Sequence, residues 1–165
     1  MLIDALPDYR KPRDRITKLL ESEVIIRIKK GLYCFSENFR KEPVSREYLA
    51  NLIYGPSYIS LDYALSYYGL IPERVNVVTS VTTKRSSDFH TPLGVFSYRM
   101  LGESRYSIGA FLEKTGNTPF LVSSPEKALI DKVWTDKRFS EIRISDYAPY
   151  LSDDLRLDRR CFGQA

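Results

Sequence analysis

The spacing of apolar residues changes period twice along the chain, and this limits the folds open to it. Between residues 45 and 68 the spacing is helical. Ser45 can cap a segment with Leu49, Leu52 and Ile53 on one face, which Gly55-Pro56 ends; Leu61, Ala64, Leu65 and Tyr68 then recur at i, i+3, i+4 and i+7 in a helix from Ser60 to Tyr68, stopped by Gly69 and Pro72. From Val75 the period falls to two. Val75, Val77, Thr79 and Val81 alternate with Asn76, Val78 and Ser80, and Phe96, Tyr98 and Met100 share a face of Val95 to Met100. Tyr106 to Phe111 and Phe120 to Val122 are further strand candidates, and KRSSDFHTPLG (84–94) is a polar connection between strands. The helical period returns after Ser124, Pro125 and Glu126, with Leu129, Ile130, Val133 and Trp134 as the apolar face. Such patterning predicts an α+β body over residues 42–165, with a mainly antiparallel sheet and packed helices.

The first quarter of the chain reads differently. In RKPRDRITKLLESE (10–23), Pro12 suits a first helical position, and Ile16, Leu19 and Leu20 follow at i, i+3 and i+4. The stretch VIIRIKKGLYCF (24–35) then offers β-branched residues, a Lys-Lys-Gly turn and a second apolar run, which together predict a hairpin. A helix followed by a basic-tipped hairpin is the order of a winged helix-turn-helix, in which the helix enters the major groove and the hairpin tip lies on the sugar-phosphate backbone. Arg10, Lys11, Arg13, Lys18, Arg27, Lys29 and Lys30 are candidate phosphate contacts, and Arg15 and Thr17, at mid-helix, are candidates to read base edges. Residues 36–44, with Pro43, read as a linker, so the head is assigned to residues 1–41. An ordinary hairpin with lysines at its tip for solubility is the alternative.

Charge is informative once it is located. Of the 25 bases and 21 acids in the chain, ten and six lie within residues 1–41, which leaves fifteen of each sign beyond. The whole excess of +4 therefore sits in the head, as expected of a polyanion-binding module on a neutral body. The two cysteines, Cys34 and Cys161, have no C-x-x-C spacing and point to neither a disulfide framework nor a zinc site. No apolar run is long enough to span a bilayer, MLIDALP is too short and acidic for a signal peptide, and the cytoplasm is the expected compartment.

The succession RITKLLESEVIIRIKKGLYCF, YLANLIYGPSYISLDYALSYYGLIPE, a strand, TPLGVFSYRML and SPEKALIDKV resembles the AbiEi-like antitoxin family. These are the DNA-binding antitoxins of abortive-infection type IV toxin–antitoxin systems. The resemblance runs from about Arg13 to Val133 and rests on order and spacing. It implies transcriptional autoregulation through promoter DNA of the chain's own operon, with Arg13 to Ser22 as recognition helix and Val24 to Phe35 as wing. It also implies a body that opposes a nucleotidyltransferase-like toxin encoded nearby without a stable complex, and it permits a homo-oligomer. Only about a dozen residues, interrupted by Pro7, precede Pro12, so either an abbreviated winged helix-turn-helix or a chain that begins late is expected.

Catalytic candidates are few, and neither a catalytic residue, a metal site nor a cofactor is expected. His90, the one histidine, is read as a loop residue near Asp88. No Gly-rich phosphate loop, G-x-S-x-G or H-E-x-x-H occurs. Glu126, Lys127 and Asp131 could hold a metal and a phosphate in a small nuclease, but Lys127 and Asp131 stand at i and i+4 and pair more simply with each other. Tyr63 and Tyr67, on the far side of their helix from Tyr68, form a candidate partner surface, which would suit a protein-interaction module that binds no DNA.

Overall fold

The computed structural model describes residues 11–116, 118–136 and 144–157. Its elements in chain order are α1 (Pro12–Glu21), β1 (Ile25–Lys29), β2 (Leu32–Phe35), a 3-10 turn (Glu37–Phe39), α2 (Arg46–Ile53), β3 (Ser57–Ile59), α3 (Leu61–Tyr67), β4 (Val78–Thr82), β5 (Ser87–Thr91) and β6 (Gly94–Met100). The short α4 (Glu103–Tyr106), β7 (Ala110–Thr115), β8 (Thr118–Ser123), α5 (Pro125–Thr135) and α6 (Ile144–Pro149) follow, and α6 runs into a π-helical turn (Tyr150–Asp154). This is an α+β fold. The candidate Arg10 lies outside the described residues.

The main sheet has the order β5-β6-β4-β3-β8-β7, and β1 and β2 form a separate antiparallel pair. It is a mixed sheet in which antiparallel pairs predominate, as expected, with two parallel pairs added. The pairs β3·β4, β5·β6 and β7·β8 are antiparallel, whereas β4·β6 and β3·β8 are parallel. Hairpins made by neighbouring segments account for β5·β6 and β7·β8. The parallel pairs join segments distant in sequence and carry no local signal.

Three strand assignments also differ from the sequence reading. Ser87–Thr91 is β5, not a connection: on this outer strand only Phe89 turns its apolar side chain inward while Asp88 and His90 are exposed. His90 is therefore a strand residue opposite Val95. Ser57–Ile59 is a fully buried strand too short to show a period. Between Tyr106 and Phe111 the chain first completes α4 and turns at Gly109, φ 75°, before β7 begins at Ala110.

One face of the sheet, with Ile59, Val78, Phe96, Tyr98, Phe120 and Val122, meets Leu49, Ala50 and Ile53 of α2 together with Leu65 and Leu70. The Tyr98 hydroxyl donates to the Ala50 carbonyl at 2.6 Å. β3 and β8 are in register only at Ile59 and Val122, and Asn51 of α2 stands in for further rungs. Its Oδ1 accepts from the Leu121 amide at 2.6 Å, and its Nδ2 donates to the Ser57 carbonyl at 3.2 Å. On the other face Tyr58, Leu61, Val81 and Leu101 form a smaller cluster.

The expected helix starts hold in detail. The Ser45 hydroxyl accepts from the Tyr48 amide at 3.1 Å, and Ser124, before Pro125, accepts from the Lys127 amide at 3.1 Å. At α3 the cap is tertiary instead. Thr79 of β4 accepts from the Tyr63 amide at 3.0 Å and donates to the Ser60 carbonyl at 2.7 Å, which leaves the Ser60 hydroxyl free to act elsewhere. Ser60 also leads into Leu61, whose φ of 62° is a strained value for a bulky residue.

Candidate nucleic-acid interface

α1 joins the hairpin through a rigid connection. The amides of Glu23 and Val24 bond back to the carbonyls of Leu20 (3.1 Å) and Leu19 (3.0 Å), the paired pattern that closes a helix when the residue after the cap is left-handed. Here that residue is Glu23, with φ 53°. α1 packs on β1, and Ile16 is buried while Leu19 and Leu20 are half-buried. Lys11, Arg13, Arg15, Thr17 and Lys18 are exposed.

At 100° per residue, the exposed residues of α1 divide into separate strips. Lys11, Arg15 and Lys18 fall within a sector of about 60° on one flank of the buried stripe, while Arg13 and Thr17 lie on the opposite flank. Asp14 and Glu21 occupy the ridge between them, the part of the helix farthest from the hairpin. Arg15 and Thr17 are about 200° apart and do not address the same groove. The Thr17 hydroxyl, moreover, donates to the Arg13 carbonyl at 3.1 Å. The basic residues that share one flank of α1 are therefore Lys11, Arg15 and Lys18.

The two wing lysines have different surroundings. β1 carries a bulge between Arg27 and Lys29, which turns Ile28 inward to join Leu49 and Ile53 in the main core even though Ile25, three residues earlier, is also buried. The bulge directs half-buried Lys29 toward the body, where its ammonium donates to the Ile53 carbonyl at the end of α2. A lysine there is favourable to the helix dipole, and Lys84 donates to the Gly55 carbonyl just beyond the cap. Lys30 stays exposed at the tip, next to Gly31 with φ 85°. Arg27 is exposed, with its guanidinium 5.9 Å from the centre of the Tyr33 ring. The hairpin thus shares the core of the body through Ile28.

Tyr63 is half-buried and Tyr67 exposed. The Tyr63 hydroxyl donates to Glu47 Oε1 at 2.5 Å, and burial together with that carboxylate raises its pKa. Burial alone would raise the Glu47 pKa, but hydrogen bonds from Tyr63, its own backbone and Ser45 outweigh it and hold the carboxyl below the ordinary range. Tyr67 is 44% exposed, edge-on to Tyr68 and Phe120.

Lys127 and Asp131 pair as their spacing suggests, and they do so inside the protein. Asp131 is 1% exposed; its Oδ1 accepts from Lys127 Nζ at 2.5 Å, and its Oδ2 accepts from the hydroxyls of Tyr58 and Ser60, each at 2.9 Å. The Lys127 ammonium also donates to the Arg105 carbonyl at 2.9 Å. Gly109 abuts the lysine stem, and a Cβ there would come within 3.1 Å of it. Glu126 is exposed and outside this network. Both carboxylate oxygens are occupied, so the cluster ties α4, β3, the start of α3 and α5 together. Among the described residues no group of three His, Cys, Asp or Glu is placed to hold a metal ion, and no helix is long and apolar enough to cross a membrane.

No family model matches the chain, and no curated protein matches it.

Proposed function

We propose that the chain is a DNA-binding regulator that approaches a duplex with the Lys11, Arg15 and Lys18 strip of α1 and with Lys30 at the hairpin tip, and that it serves as the autoregulating antitoxin of a type IV system. The observation that carries the DNA reading is the rigid junction of a basic helix strip to an exposed basic turn. Positive charge fixed on two joined elements matches the spaced phosphates of a backbone, whereas charge kept for solubility needs no such framework. The electrostatics of α1 point the same way. Lys11 stands at the cap position without a side-chain cap bond, near the positive end of the helix dipole, where an anion is favoured.

Arg15, mid-strip, is the residue assigned to base edges, and Lys11, Lys18 and Lys30 to phosphates. Completion of a winged helix-turn-helix belongs to this proposal, since one described helix precedes the hairpin. The antitoxin role rests on the resemblance to the AbiEi-like family, with a nucleotidyltransferase-like toxin as the functional counterpart. The DNA reading is tested by charge reversal on the two flanks of α1. Lys18→Glu is expected to weaken duplex binding at least tenfold, while Arg13→Glu, on the other flank, changes it less than threefold. Equal losses from both variants would overturn the assigned strip.

A further inference from the structure

The two edges of the main sheet are finished differently. At one end β5 is flanked by the hairpin, which packs against it through β1. At the other, β7 pairs with β8 alone among the described strands, in an unbroken register from Ala110 opposite Ser123 to Thr115 opposite Thr118. β7 has neither proline nor bulge to blunt it, and its charged residues, Glu113 and Lys114, are confined to its C-terminal half. It also exposes apolar side chains on both faces: Phe111 is 40% and Leu112 61% exposed, and Leu121, the cross-strand neighbour of Leu112, is 40% exposed.

We propose that β7 pairs with β7 of a second copy of this chain, antiparallel about a two-fold axis at Leu112, to make one continuous twelve-stranded sheet. The register follows from charge. In a two-fold pairing, residues directly opposite share a face, so the axis passes through a residue rather than between two. An axis at Glu113 or Lys114 sets like charges against each other, which is unfavourable across strands. An axis at Phe111 overlaps only Ala110 to Leu112 of the strand. With the axis at Leu112, the overlap extends from Ala110 to Lys114, Phe111 meets Glu113, Ala110 meets Lys114, and no like charges oppose. On one face Leu121, Leu112 and their two copies then form an uninterrupted apolar stripe across the junction. The occupant is thus a copy of the same strand, and two basic heads are carried on one assembly.

Sedimentation of the full chain from micromolar to submillimolar concentration tests this, together with Leu112→Lys and Leu112→Glu alone and mixed. Leu112 is mostly exposed, so neither change should disturb the fold, which circular dichroism checks. The wild type is expected to approach twice the 19.1 kDa chain mass, each variant alone to remain a monomer, and the equimolar mixture to regain the dimer because only a residue on the axis faces its own copy. A wild type that stays monomeric throughout, variants that still dimerise alone, or a mixture that stays monomeric would each overturn the proposal.

Discussion

Asp131→Ala should be among the most destabilising single changes in the chain. The side chain is 1% exposed and accepts from Lys127, Tyr58 and Ser60, so its removal strands an ammonium that is itself buried and leaves two hydroxyls without their acceptor. Breaking a buried ion pair from one side costs about 3 to 5 kcal/mol. Lys127→Met leaves a buried carboxylate with two hydroxyl donors and should cost about 3 kcal/mol. The double variant Lys127→Met/Asp131→Leu removes both charges at once; what remains unpaired is the Arg105 carbonyl and two hydroxyls, offset by the avoided desolvation of two ions, for a net loss of roughly 0 to 2 kcal/mol. With Asp131→Leu, which strands the same ammonium, as the matching single change, single losses of about 3 to 5 and about 3 kcal/mol against roughly 0 to 2 for the double give a coupling on the order of 6 kcal/mol. Urea unfolding followed by circular dichroism reads this directly, because with a slope of about 2 kcal/mol per molar a 4 kcal/mol loss moves the midpoint by about 2 M. The reasoning fails if either single variant loses less than about 1 kcal/mol, or if the double variant loses as much as the two singles combined. A nuclease centred on this pair would behave differently, with turnover lost in Asp131→Ala while stability is kept.

Two further predictions follow from the backbone and from the tyrosines. Glu23→Gly should stabilise the chain by about 1 kcal/mol, because glycine adopts the left-handed conformation at the end of α1 without the penalty a side chain incurs, and a lower urea midpoint would contradict the assigned helix closure. Burial raises the pKa of Tyr58, with Asp131 adding to the effect, of Tyr98 by burial alone, and of Tyr68 to about 12. In the unfolded chain these hydroxyls ionise near pH 10, so the stability linked to them is fully present below that value and is lost as pH rises toward the folded values. Tyr58 and Tyr98, both fully buried, should together remove about 3 kcal/mol per pH unit above 10. Tyrosinate absorbance should then rise in one step with loss of the circular dichroism signal, and gradual ionisation of all twelve tyrosines with the fold intact would refute the claim.

What could be read from the sequence was what is set locally. Ser45, Ser124 with Pro125, and Gly31 at the hairpin turn each act within three or four residues of themselves, and the helices and hairpin they bound are found where expected. β3 and β5 escaped notice because three buried residues show no period and because an edge strand with one inward aromatic resembles a loop. The parallel pairings depend on segments far apart in the chain. Lys29 and Lys30 are identical neighbours in sequence, and only the bulge at Ile28 separates their roles. Mid-helix position alone grouped Arg15 with Thr17, although the helical angle sets them on different flanks. Lys127 and Asp131 were legible as a pair, but not as a buried one, since Tyr58 and Ser60 come from another part of the chain.

Fluorescence anisotropy of the full chain against the duplex upstream of its own gene and a scrambled duplex, each over a salt series, tests the central claim most directly. With about three phosphates neutralised, log K should fall against log salt with a slope of roughly −3, and the upstream duplex should be held at least tenfold more tightly at every salt concentration. Weak binding that is equal for the two duplexes, or a slope near zero, would contradict the account.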